Sequence, residues 1–198
     1  MQARKATFAR KTGETEVSVQ LTLDGTGQYK IDTGNGMLDH LLAQLARHGL
    51  LDLEISAKGD VATGWHHTVE DVAIALGRAL HEALGDGKGI TRIAHFVVPM
   101  DEALALAVVD LSGRGYAVVD TGLSNGDLEM LPPDLIRHFL ETFALEARIT
   151  LHAEVMYGTN DHHKAEALFK ALARALREAI SLDQPMTGEI PSTKGVLG

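Results

Sequence analysis

The strongest constraint on this chain is that it repeats itself. His66-His67-Thr68-Val69-Glu70-Asp71 recurs as His162-His163-Lys164-Ala165-Glu166-Ala167, 96 residues later. The flanks recur with it. Ahead of the first copy Leu51, Leu53, Ile55 and Ala57 alternate with polar residues, and ahead of the second Ile149, Leu151, Ala153 and Val155 do the same. A period of two marks a strand with one buried face. Behind each His-His pair runs an Ala/Leu-rich segment of helical spacing, residues 69–84 and 165–180. Gly85-Asp86-Gly87 stops the first and Asp183-Gln184-Pro185 the second. A shorter helical segment precedes each strand, residues 37–48 and 132–147. The latter opens with Pro132-Pro133 and Asp134, which suit a first helical turn. Further strand patterns cover residues 16–23 and 28–31, then 93–98, 103–110 and 116–119. The spacing predicts an α+β fold. It is an internally duplicated unit of two pseudo-symmetric halves, residues 1–88 and 89–198, each a β-sheet covered by two helices, packed together as one unit. Residues 1–13 and 186–198 are the least regular parts.

The repeated element has the chemistry of a metal site. On a helix, positions i and i+4 share a face, so His66 with Glu70, and His162 with Glu166, can each grip one ion. His67 and His163 point roughly 100° away round the helix and are placed for a different ion. Two further histidines fit, His40 and His138, which lie 26 and 24 residues before the two His-His pairs in the shorter helices. Exchange between the halves then gives two ligand sets: His40, His67, His162 and Glu166, and His66, Glu70, His138 and His163. Three imidazoles and one carboxylate suit Mn, Fe, Co, Ni or Zn and are too nitrogen-rich for Mg or Ca. A lone His-His pair in a soluble protein is ordinarily incidental. A duplicated one at matching places in two similar halves is not. His81 and His95 read as ordinary surface or core residues, and His152 as an exposed strand residue. His48 ends the helix that carries His40, and its role is open.

Composition excludes several classes. There is no cysteine, so disulfides, thiolate ligands and thiol nucleophiles are ruled out. The formal net charge of −9 argues against nucleic acid as a partner. Charges interrupt every apolar run, and the start is mixed and basic, so no membrane partner is expected and the cytoplasm is the expected location. No glycine-rich loop matches a phosphate-binding fingerprint. An anionic ligand would need scattered cations instead. Ser112-Gly113-Arg114-Gly115 puts an arginine on a tight turn, and Pro191-Ser192-Thr193-Lys194-Gly195 supplies a hydroxyl pair and a cation.

Taken together these motifs resemble the imidazoleglycerol-phosphate dehydratase family of histidine biosynthesis. The matching stretches run in family order: residues 36–44 (Gly-Met-Leu-Asp-His-Leu-Leu-Ala-Gln), 66–71, Pro99-Met100-Asp101-Glu102-Ala103, Ser112-Gly113-Arg114, 162–170, and 191–195. Gly115 departs from the proline common after Ser-Gly-Arg, and Ala167 from the aspartate of the first copy. The resemblance implies a metal-dependent dehydratase that converts imidazoleglycerol phosphate to imidazole-acetol phosphate and water, by way of a metal-stabilised imidazolate. It implies two Mn2+ per active site on the eight ligands above. It implies a phosphate grip from Arg92, Arg114, Lys170, Ser192 and Lys194, with Thr193 beside them. It places Glu14, Gln44 and His48 near the substrate, with Glu14 as general acid/base. It implies a homo-oligomer, a shell of twenty-four chains with active sites between subunits. A dinuclear metallohydrolase is the alternative from spacing alone, and a metal-storage shell a third reading. Neither accounts for the six stretches.

Overall fold

The computed structural model describes residues 4–124, 128–183 and 188–198. Its elements follow the order β1 (Lys5–Lys11), β2 (Thr15–Thr22), β3 (Tyr29–Asp32), α1 (Gly36–Gly49), β4 (Asp52–Gly59), α2 (His66–Leu84), β5 (Ile93–Met100), β6 (Ala103–Asp110), β7 (Tyr116–Asp120), α3 (Pro133–Glu146), β8 (Thr150–Tyr157) and α4 (Asp161–Ile180). A short 3-10 turn, Val61–Thr63, lies between β4 and α2.

The strands form two four-stranded sheets of one topology, β1-β2-β4-β3 and β5-β6-β8-β7. In each, the first three neighbours are antiparallel and the last strand joins in parallel. Each sheet buries one face, as the alternation requires. Val17, Val19 and Leu21 stand opposite Ala57, Ile55 and Leu53, and Ala107 and Val109 opposite Ala153 and Leu151. The repeat is volume-compensated rather than copied. β6 turns the small Ala105 and Ala107 inward where β2 has Val17 and Val19, and α4 carries Phe169 at the place where α2 carries Ala73. Swapping bulk between sheet and helix keeps the core filled.

The helices pair across the halves. α1 packs on α4, and α2 on α3, while α2 also covers β1 and β2 and α4 covers β5 and β6. Leu45, Leu76, Leu80, Phe143, Leu176 and Ile180, drawn from all four helices, meet in one buried cluster. The α2–α3 crossing is close. A Cβ on Gly77 would come 2.8 Å from the Phe143 carbonyl oxygen and 2.9 Å from the Ala147 nitrogen.

One feature differs from the sequence reading. Residues 5–11 form strand β1, although residues 1–13 read as irregular. As an edge strand it alternates only between exposed and half-buried, and Arg10 occupies an inward position, so no apolar period was visible. Helix α4 ends at Ile180, where the helical spacing ends, with Ser181 as its cap. Gln184 and Pro185, and Met186 and Thr187 of the irregular tail, lie outside the described residues, as do Met1, Gln2 and Ala3. His152 and His95 are exposed and His81 half-buried, as expected. Among the described residues, no helix is long and apolar enough to cross a membrane.

Candidate metal centres and their acidic flank

The helix pairing brings the histidines together. In α4 the Asn160 side chain caps the first turn by accepting from the His163 amide, which starts the helix on the motif itself. His162 and Glu166 then share a face one turn apart. Helix α1 lies alongside and delivers His40. His40 Nε2 is 2.8 Å and His162 Nε2 3.2 Å from the same oxygen, Glu166 Oε2. The other half repeats this with α2 and α3. His138 Nε2 lies 3.6 Å from Glu70 Oε1, and the rings of His66 and His138 stack with centroids 4.7 Å apart. In each trio the donor atoms lie within 4.8 Å of one another, a span one cation can bridge.

The donors fit a divalent transition metal. His138 Nε2 is buried and has no hydrogen-bond partner among the described residues, an arrangement that costs free energy until a ligand arrives. Glu166 is buried, which raises its pKa, yet hydrogen bonds from Lys170 and His40 outweigh that and bring it down to about 2. It is therefore a carboxylate at neutral pH, as a ligand must be.

Within one chain the two expected quartets stop at these trios. His67 does not stand with the His40 trio. Its Nδ1 lies 3.1 Å from Asp60 Oδ1 and 3.6 Å from Glu14 Oε2. His163 does not stand with the His138 trio. Its Nδ1 lies 2.7 Å from Glu102 Oε2. Both imidazoles have raised pKa values because those hydrogen bonds favour the cation, from Asp60 at His67 and from Glu102 at His163. Glu102 in turn is held well below the usual carboxylate range by the His163 hydrogen bond and the Asn160 amide. His162 has a comparable partner, with Nδ1 2.9 Å from Glu129 Oε1.

The flanks of the two trios differ. Beyond His40 and Glu166, the next turns carry Gln44 and His48 on α1 and Lys170 and Arg174 on α4. Lys170 Nζ pairs with Glu166 Oε1 at 2.5 Å, and His48 Nε2 lies 3.1 Å from Gln44 Oε1. Burial, then the charges of Lys170 and Arg174, lower the His48 pKa, so its ring is neutral at physiological pH. In the other half the equivalent turns are closed by an ion pair, Arg78 Nε to Glu146 Oε2 at 2.7 Å. One trio thus opens onto a polar, cationic stripe and the other does not.

The remaining expected cations lie elsewhere. Arg92, Ser112, Arg114, Ser192, Thr193 and Lys194 line one open cleft of about 670 Å³ beside the C-terminal segment. Arg92 is engaged within it. Its guanidinium binds Asp110 at 2.7 and 3.0 Å and the Pro191 carbonyl at 2.7 Å, tying the tail to the sheet. Glu14 sits on the β1–β2 hairpin turn, 58% exposed, next to His67. That turn is anchored from below. Arg10 Nε and the Thr15 hydroxyl both bind the buried Asp71 carboxylate, the residue that completes the first motif. Sequence reading missed Asp60, Glu102, Glu129 and Asp71 as supports of this site. The signal for Glu102 lay in the Asp101-Glu102 pair of a matching stretch, and that for Asp71 in its loss from the second copy.

Fold and site thus define a duplicated α+β enzyme scaffold with paired His/Glu centres, and comparison with known proteins gives the family. The imidazoleglycerol-phosphate dehydratase model matches residues 33–176. A relative of that name from Dehalococcoides mccartyi is 58% identical over 197 residues, covering 100% of this chain and 99% of its own. One from Chloroflexus aurantiacus is 55% identical over 194 residues, covering 98% and 95%. A crystal structure of imidazoleglycerol-phosphate dehydratase from Staphylococcus aureus superposes with TM-score 0.80 at 34% identity, covering 89% of this chain and 99% of that one. One from Pyrococcus furiosus, in complex with (S)-C348, gives 0.80 at 36%, covering 96% and 99%. This chain belongs to the imidazoleglycerol-phosphate dehydratase family, a family of hydro-lyases.

Proposed function

We propose that this chain dehydrates imidazoleglycerol phosphate to imidazole-acetol phosphate in histidine biosynthesis, using two Mn2+ ions per active site. The observation that carries the metal reading is the pair of His/His/Glu trios, each with donors within 4.8 Å, built by the same helix pairing in both halves. We assign His40, His162 and Glu166 to one ion with His67 as fourth ligand, and His66, Glu70 and His138 to the other with His163.

In one chain each fourth histidine stands apart from its trio with its Nδ1 held by an acid, and His163 Nε2 lies 3.7 Å from Asp101 Oδ2, beyond hydrogen-bond reach. This supports closure of the quartets between chains, and so a homo-oligomer with shared active sites, of which the twenty-four-chain shell is the expected form. The outer face of β5–β8 supports the same reading. It exposes Ile93, Val97, Tyr116, Val118 and Met156, an apolar patch of the kind that copies of a chain bury against one another. The repeat boundary is assigned to residues 88 and 89. A cysteine-free chain of this charge suits the cytoplasm.

The proton to be removed is not beside a carbonyl, so the substrate ring must supply activation. Bound metal ions would supply Lewis-acid stabilisation of the deprotonated imidazole. The chain's own groups do the rest. Arg114, Ser192, Thr193 and Lys194 bind the phosphate in their shared cleft, with Arg92 shaping it. Lys170 adds a charge beside Glu166, and Gln44 and neutral His48 line the stripe that orients the substrate. Glu14, exposed on an anchored hairpin, moves the proton as general acid/base.

The test is to strip the metal, add Mn2+ and supply imidazoleglycerol phosphate. Formation of the keto product only on Mn2+ addition is expected. A folded, metal-loaded protein that forms none overturns the assignment, and two product fragments would indicate a hydrolase instead.

A further inference from the structure

The two hairpins next to the metal motifs are equivalent by the repeat, yet their acids are used differently. Glu14 sits in the β1–β2 turn and Asp101-Glu102 in the β5–β6 turn. In the second half the hairpin acid is committed. Glu102 Oε2 accepts from His163 Nδ1 at 2.7 Å, and its Oε1 accepts from the amides of Thr159 and Asn160 at 3.1 and 2.7 Å. The carboxylate is locked between the helix N-terminus and the imidazole. In the first half the link from β4 to α2 is longer and carries the 3-10 turn, and Asp60 at its start takes that place. Asp60 Oδ1 and Oδ2 lie 3.1 and 3.3 Å from His67 Nδ1, and Oδ2 also accepts from Thr63 Oγ1 at 2.9 Å. Glu14 stands off at 3.6 Å.

We propose that Asp60 and Glu102 are paired positioning residues: each fixes its histidine, His67 or His163, in the tautomer with Nδ1–H donated to the carboxylate and Nε2 bare for metal. The extra link in the first half thereby releases the Glu14 hairpin acid for proton transfer. One hairpin acid orients a ligand and the other is left to react, although both descend from the same place in the repeat. A carboxylate behind a ligating imidazole fixes ring orientation and raises basicity, and losing it costs metal affinity. The inference rests on His67 and His163 being ligands.

The experiment is calorimetric titration of Mn2+ into the full-length, metal-free protein and its variants. Asp60→Asn and Glu102→Gln, which keep size and shape, are each expected to weaken Mn2+ binding by about 10–100-fold. Asp60→Glu and Glu102→Asp are expected to recover part of the loss, which a folding defect would not allow. Glu14→Gln is expected to bind Mn2+ as wild type does. Wild-type affinity in both amide variants overturns the proposal, and so does a loss in Glu14→Gln equal to that in Glu102→Gln. A wild-type protein that binds no Mn2+ removes the ligand reading itself, and separates that failure from this one.

Discussion

Replacing Gly77 by alanine tests how the helix layer sets the site. Gly77 lies seven residues beyond Glu70 on α2, hence on the same face, turned toward α3. Alanine in a helix interior is favoured over glycine by about 1 kcal/mol. Here the new Cβ would meet Glu146 Cβ and the Phe143 carbonyl oxygen at 2.8 Å and the Ala147 nitrogen at 2.9 Å. Two of these are backbone atoms that cannot rotate away. Overpacking of this kind costs about 1–3 kcal/mol. The cost at two backbone contacts falls in the upper part of that range and exceeds the propensity gain, leaving a net loss of about 1–2 kcal/mol, or roughly 4 °C in Tm for a chain of this size. Gly36, at the start of α1, has open space where its Cβ would go. Gly36→Ala should therefore be neutral or slightly stabilising, and serves as the control. Thermal melting of the metal-free proteins reads the difference. The displacement has a second consequence. It separates α2 from α3 and so Glu70 from His138, while leaving α1 and α4 alone. Mn2+ titration should lose affinity at one class of site and keep it at the other. A Gly77→Ala protein as stable as Gly36→Ala, with both sites intact, would refute the argument.

Other outcomes follow from the same geometry. Glu14→Gln should lower turnover by about 10²-fold or more with little change in KM, measured by product formation under saturating Mn2+. Arg114→Ala tests the proposed phosphate grip: charge-assisted hydrogen bonds are worth about 1.5–3 kcal/mol, so KM should rise by roughly 10- to 100-fold while kcat changes less. His81 has a lowered pKa, from burial and then the charge of Arg148. The unfolded chain therefore binds its proton more tightly, so stability falls as pH drops below the ordinary histidine value of about 6.5 and levels off beneath the folded value. His81→Gln should flatten that part of a denaturation profile measured against pH.

The parts of this fold that were legible in the sequence are those with a period. Val17, Val19 and Leu21, and Ile149 to Val155, alternate because one sheet face is buried. His66 with Glu70 and His162 with Glu166 announce themselves through the helical repeat. The family resemblance was readable on the same residues, since the stretches that match are the ones that chemistry constrains. What escaped has no period. β1 is an edge strand whose inward side is Ala6, Phe8 and Arg10. Asp60 reaches His67 across a loop, and Glu102 reaches His163 across 61 positions of chain. Only the folded register of β5, β6 and β8 brings that last pair together. Arg92 shows the converse. The resemblance implied it as a phosphate ligand, but its pairing with Asp110 and the Pro191 carbonyl is a tertiary fact.

The pairing of helices across the halves bears on how such a chain could arise. α1 rests on α4 and α2 on α3, so each half-unit, taken alone, would present its helical stripes bare. Two identical half-units facing one another would cover them, with each interface repeated by symmetry. The arrangement is what fusing the two subunits of such a homodimer into one polypeptide would give. Fusion would free the copies to diverge. One half has an aspartate behind its motif and a longer link, and the other has phenylalanine where the first has alanine in its helix. A symmetric ancestor would have carried two equal ligand stations. The joined chain carries two trios with unlike flanks, so a small, lopsided ligand lying between them would meet a different neighbour on each side.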